Sequence, residues 1–187
     1  LQVAIKEYFP SSAAVRDPTT GSVALRSSAA QKEFEWGRDR FMLEAQTLAR
    51  FRHKNIVPVF RYLKANDTCY MVMAYEAGTS LEQALRDEAT VWEEANTLAL
   101  ILPLLDGLES VHQAGFLHRD IKPGNIVLRA NGDGPVLIDF GAARSTETNS
   151  ELTIVLSHGY GPPEQYSRNG EQGPWTDIYA MAGVLYR

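Results

Sequence analysis

A single cysteine, Cys69, stands among 187 residues. An internal disulfide is therefore excluded, and a reducing compartment is the natural setting. Cys69 lies in the apolar run "TCYMVMAY" and reads as a small core or edge residue, not a nucleophile. Long apolar runs are lacking too. No stretch approaches the roughly 18 apolar residues of a membrane span, so neither a membrane segment nor a signal peptide is read. Basic residues are in the minority, 18 Lys and Arg against 23 Asp and Glu, for a net charge of −5. That balance lacks the basic footprint of a nucleic-acid binder, and no nucleic-acid partner is expected.

What is there is a sequence that is 44% hydrophobic, enough for one globular domain with a real core. Both ends read as cut. The chain opens inside "LQVAIK" and closes on "DIYAMAGVLYR" without a C-cap, so a piece of a longer reading frame is expected. "QVAIKEY" alternates as a strand does. Residues 10–32 are rich in Ser, Thr, Ala, Gly and Pro and read as a long surface connection. "FEWGRDRFMLEAQTLARFRH" has helical spacing, with Phe41, Glu44, Leu48 and Phe51 on one face. Two antiparallel strands follow, joined by a turn around Ala65, Asn66 and Asp67. Then comes a short helix capped by Thr79 or Ser80, and a long one containing Pro103 and ending near Gly115. A small hairpin turns at residues 131–134. Residues 142–157 read as a Ser- and Thr-rich loop, and a last helix begins near Trp175. Strands come first with one helix among them, then helices with a small hairpin. The fold class is α+β in two lobes, not an alternating doubly wound sheet.

The chemistry concentrates in "HRDIKPGN" and "IDFG". The hairpin between them brings Asp120, Asn125 and Asp139 together, supplying a carboxylate base and hard oxygen ligands suited to Mg²⁺. A pair of turn aspartates capping backbone amides is the ordinary alternative. It leaves Lys122 and the spacing unexplained. Glu44, on an apolar helix face, needs a cation beside it.

In this order, "VAIK", "HRDIKPGN" and "DFG" resemble the eukaryotic-type (Hanks-type) serine/threonine protein kinases, in a bacterial-like form. The resemblance implies a two-lobed kinase fold, with residues 1–75 as a partial N-terminal lobe and 76–187 as a partial C-terminal lobe. It implies ATP and Mg²⁺ as cofactors, a protein carrying a Ser or Thr acceptor as substrate, and a cytoplasmic location. Lys6 would hold the α- and β-phosphates, with Glu44 as its partner. Asp120 would be the catalytic base, and Lys122 would neutralise charge on the γ-phosphate. Asn125 and Asp139 would hold the metal. Met73 would back the adenine pocket, the backbone of Ala74, Tyr75, Glu76 and Ala77 would bond the base, and Ala4 and Val127 would sandwich it.

The same resemblance implies that His118 packs beneath Phe140, in a spine with Leu48 and Val59. It implies that Asp177 braces the turn 118–120 and that Glu164 anchors the end of the activation segment. Ser157 would bond Asp120 and Lys122. Lys122 itself, two residues after the base, marks the serine/threonine class. Arg119 would receive phosphate from the loop 145–157, where Ser145, Thr146, Thr148, Ser150 and Thr153 are candidate autophosphorylation sites.

The sequence departs from the family pattern in several places. No glycine-rich loop precedes "VAIK", so the small lobe is read as lacking its first two strands. The later helices of the large lobe are likewise absent. His158 and Gly161 stand where proline and alanine are usual. The alternative function is a catalytically silent kinase-like scaffold or an inactive fragment. The presence of Lys6, Glu44, Asp120, Asn125 and Asp139 together argues against the scaffold.

Overall fold

Alternating apolar and polar side chains in "VAIKE" make β1 (Val3–Glu7) an extended strand. The computed structural model describes residues 2–87, 92–140, 144–145, 159–167 and 170–186, with backbone alone at 144–145. The chain folds as two units.

The first unit comprises Leu1–Arg50 and Pro58–Tyr75. β1 pairs antiparallel with β5 (Thr68–Ala74), whose other edge takes β4 (Val59–Ala65). Asn66 and Asp67 join β4 to β5, both with positive φ, 50° and 57°. This is the two-residue turn whose twist matches a hairpin, and short polar side chains tolerate it best. The segment read as a loose connection is instead a hairpin of its own, β2 (Ala14–Arg16) with β3 (Val23–Leu25). Asp17 closes its turn by accepting from the amides of Thr19 and Thr20. Ala14 and Val23 pack with Phe34, Tyr8 and Leu25 into a small core. Three-residue strands are too short for alternation to betray them.

Helix α1 (Gln31–Leu48) lies in the same unit and buries Phe34, Phe41, Glu44, Ala45 and Leu48. It stops short of the expected end, and Phe51 is not on its face. Phe51 begins Phe51–Val57, which belongs to the second unit. There its ring stacks on Phe140 and meets the edge of Phe116.

The second unit adds Glu76–Arg187. A run read as linker forms β6 (Gly78–Ser80), which pairs with β8 (Ile126–Arg129), and β8 with β9 (Pro135–Leu137). Ser80 caps α2 (Leu81–Arg86) through a reciprocal bond pair with Gln83. Helix α3 (Glu94–Gln113) runs through Pro103 and buries Leu104, Leu108 and Val111 completely. It is followed by Gly115 at φ 76°, the left-handed stop that glycine favours. β7 (Phe116–Leu117) pairs with β10 (Arg144–Ser145). Helix α4 (Pro174–Leu185) starts with proline in its first turn. Among the described residues, no helix is long and apolar enough to cross a membrane.

Segment 51–57 is held by β9. Val57 N donates to Leu137 O, Leu137 N donates to Asn55 O, and Asn55 Nδ2 donates to Pro135 O at 2.6 Å.

Candidate active site

Between β7 and β8 the chain must carry four charged or amide side chains past a buried frame. Leu117, Ile121 and Ile126 are all fully or almost fully buried and fix that frame. Against it, Lys122 Nζ lies 2.8 and 3.1 Å from the two carboxylate oxygens of Asp120. Asn125 Nδ2 donates to Asp120 Oδ2 at 2.9 Å and to the Asp120 carbonyl at 2.8 Å. The carboxylate thus faces an ammonium and an amide. Ile138 N donates to Asn125 O at 2.9 Å, tying the start of β8 to the residue before Asp139. Asp139 has φ 59°, a left-handed backbone unusual outside glycine and common at functional turns. Asp120, Lys122 and Asn125 are therefore gathered in one cluster, and Asp139 lies one residue beyond its tie point.

A brace lies beneath this turn. Asp177, in the first turn of α4, is 0% exposed. Its carboxylate accepts from His118 N at 2.8 Å and Arg119 N at 2.7 Å, the role expected for it. His112 Nε2, from the last turn of α3, lies 2.8 Å from the same carboxylate. Neither periodicity nor motif spacing singles out His112, whose partner is 65 residues away. His118 is fully buried with its ring 4.1 Å from that of Phe140. Burial pushes its imidazole below the ordinary value, against the opposing charges of Asp177, Asp120 and Asp139. His118 Nδ1 accepts from Asp120 N at 3.3 Å.

Glu164 accepts from Thr176 Oγ1 at 3.0 Å, a partner drawn from α4. Ser157 and most of the 145–157 loop lie outside the described residues, as does His158.

The first unit contains the pair expected from the helix face. Lys6 Nζ lies 3.1 Å from Glu44 Oε1, and Glu44 is 7% exposed. Ala4 and Met73 are direct partners across β1 and β5, as are Val3 and Ala74. In the second unit, Glu76 accepts from Arg129 Nε at 2.6 Å and Nη2 at 3.1 Å. Ala77 O accepts from Ala130 N, and Val127 pairs with Ser80 and Val136. Glu76 is thus fixed by its ion pair two residues before β6.

The donor set suits a hard cation. With Nδ2 of Asn125 committed to Asp120, its side-chain carbonyl oxygen is the atom left for a metal. Among the described residues, no three His, Cys, Asp or Glu side chains gather into a metal site. A cation here would need further oxygens from a bound phosphate, which is the habit of Mg²⁺.

Residues 11–187 match the family model described as the protein kinase domain. The chain is 33% identical over 150 residues to serine/threonine-protein kinase PknL of Mycobacterium tuberculosis, covering 79% of this chain and 37% of that one. It is 30% identical over 158 residues to serine/threonine-protein kinase pkn3 of Myxococcus xanthus, covering 79% of this chain and 29% of the relative. Among solved structures, "PpkA-294 apo form" is 40% identical with a TM-score of 0.83, over 98% of this chain and 64% of that one. The chain therefore spans well under half the length of these curated relatives. It has the α+β protein kinase fold and belongs to the protein kinase domain family, on the branch of the bacterial serine/threonine-protein kinases.

Proposed function

We propose that this chain transfers the γ-phosphoryl group of ATP to serine or threonine hydroxyls of proteins. The observation that carries this reading is the convergence of Lys122 Nζ and Asn125 Nδ2 on the Asp120 carboxylate. Such an arrangement holds a carboxylate in a fixed orientation, which a base toward an incoming hydroxyl requires. The acceptor oxygen attacks the γ-phosphorus as the bond to the β-phosphate oxygen breaks. The hydroxyl proton passes to Asp120, and ADP leaves with the electron pair. Lys122, already at Asp120, offsets charge on the moving phosphoryl group. Lys6, held by Glu44, positions the α- and β-phosphates. Asn125 and Asp139 hold Mg²⁺, which when bound supplies charge neutralisation on the phosphate oxygens.

Met73, the backbone of residues 74–77, and the side chains of Ala4 and Val127 bind the adenine. Residues 1–75 and 76–187 supply the N- and C-terminal lobes of the kinase domain. Serines and threonines within 145–157 are the acceptors for autophosphorylation, and a reaction that consumes ATP sets the chain in the cytoplasm.

The test is phosphate incorporation from Mg-ATP, read by intact mass, with nucleotide affinity read separately. Asp120→Asn should lower transfer by about 10²- to 10⁴-fold, the usual worth of a general base, while ATP still binds. Undiminished transfer by that variant would overturn the reading.

A further inference from the structure

Arg119, the residue before the base, has φ 67°. A side chain of that size adopts a left-handed backbone only where its surroundings over-determine it. One side of the restraint is Asp177, which accepts from Arg119 N at 2.7 Å. The other is Gln165. Its Nε2 donates to Arg119 O at 2.9 Å, in a bond that is buried. Gln165 is 5% exposed and sits in the short 3₁₀ turn Pro163–Tyr166 of "PPEQY".

The carbonyl of Arg119 belongs to the same peptide plane as the N–H of Asp120, and that N–H donates to His118 Nδ1 at 3.3 Å. Both polar ends of the Arg119–Asp120 peptide are thereby fixed, one by an imidazole and one by a carboxamide. A peptide plane fixed at both ends sets the direction in which the next Cα–Cβ bond leaves, and here that bond carries the Asp120 carboxylate. Gly161 makes the carboxamide's position attainable, since a Cβ there would stand 3.0 Å from Gln165 Oε1.

We propose that Gln165 is a positioning residue for phosphoryl transfer. Its carboxamide holds the Arg119–Asp120 peptide, so the conformation of segment 159–167 is transmitted to the base. This rests on the reading of Asp120 as the base. The role differs from that of neighbouring Glu164, whose carboxylate turns to Thr176.

Two variants of the full chain separate positioning from packing. Gln165→Leu keeps the bulk and removes the donor. Gln165→Glu donates an O–H when protonated and cannot donate when ionised. At neutral pH both should lose kcat about ten- to a hundredfold with KM for ATP unchanged, because a buried carbonyl loses its partner. As the pH falls, Gln165→Glu should regain activity relative to wild type, while Gln165→Leu should not.

Hydrogen exchange gives a readout independent of activity. Amides of residues 117–122 should exchange about tenfold faster in both variants at neutral pH, with protection of α3 and α4 unchanged. Full kcat and unaltered exchange at 117–122 in Gln165→Leu would overturn the proposal. So would equal loss of protection throughout α3 and α4, which would reduce Gln165 to a packing residue. An inactive wild-type chain would sink the phosphotransfer reading alone, and the exchange comparison would still decide whether Gln165 holds the turn.

Discussion

Two buried residues decide how much the turn 118–120 can tolerate. Asp177 is inaccessible and holds the amides of His118 and Arg119 together with the imidazole of His112. Asp177→Ala leaves those donors unmatched in the interior. Each orphaned donor costs about 1–3 kcal/mol, so urea unfolding should show a loss of roughly 3 kcal/mol or more. His118 acts through pH. Burial holds its folded-state pKa below the ordinary 6.5, so the unfolded chain binds the proton more readily. Its contribution to stability is complete above 6.5 and is lost as the pH falls below that value. As the pH falls below 6.5 the wild type should lose stability through this group, with a slope no steeper than one proton allows. Subtracting the same curve for His118→Phe should remove that slope. A slope identical in the two chains would show that His118 is not its source.

Asp120, Lys122, Asn125 and Asp139 can be marked from sequence because their signal is short-range spacing in one strand-loop-strand run. Asp177 can be marked by its place in the family pattern. His112 and Gln165 cannot. Each acts on a partner 65 or 46 residues away, and nothing near either residue says that its side chain turns inward.

At the level of elements, α1 and the sequence before it show how local preference yields to packing. Gly37 lies mid-helix, where alanine would gain roughly 1 kcal/mol in helix propensity. Yet a Cβ at that position would fall 2.2 Å from Tyr8 Oη. Tyr8 packs on Phe34 and Phe41 with ring centroids 5.2 and 6.0 Å away. Displacing that ring should cost about 1–3 kcal/mol, so Gly37→Ala should destabilise the chain despite the better helix former. Thermal unfolding by circular dichroism gives the sign directly.

The β2–β3 hairpin is hidden in the sequence for a different reason. Its composition is that of a loop, and what holds it is a handful of contacts to Tyr8 and Phe34 from elsewhere in the chain. The longer elements, α1, α3, β4 and β5, can be read because each repeats its period several times. The end of α1 falls earlier than its spacing suggests because Phe51 continues the helical period while packing with Phe116 and Phe140 instead.

At the scale of the whole chain, sequence order and spatial unit do not coincide. The second unit takes in Phe51–Val57, although residues on both sides of that segment belong to the first. Val57 N bonds Leu137 O, whereas Ala74 N bonds Pro58 O, so the change of allegiance falls between adjacent residues. Amide exchange under mild denaturant should resolve this. The Val57 amide should open with the amide of Leu137, and not with the amides of β4 that follow it by two residues. Coincidence of Val57 with β4 would contradict the division. Hydropathy does not mark this boundary, because "NIVPVF" is apolar on both sides of it, and Pro58 alone stands where the first unit resumes.

That segment also sets a schedule for synthesis. Asn55 leaves the ribosome 80 residues before Pro135, the carbonyl it must bind. At elongation speeds of roughly 5–20 residues per second, it waits about 4–16 s for its partner. Early in that interval β4 and β5 complete the strands of the first unit, while Ile56 and Val57, both almost fully buried at the end, still wait for their partner Leu137 in β9. The nascent chain thus carries a short apolar run that lacks its strand partner for a time set by translation speed.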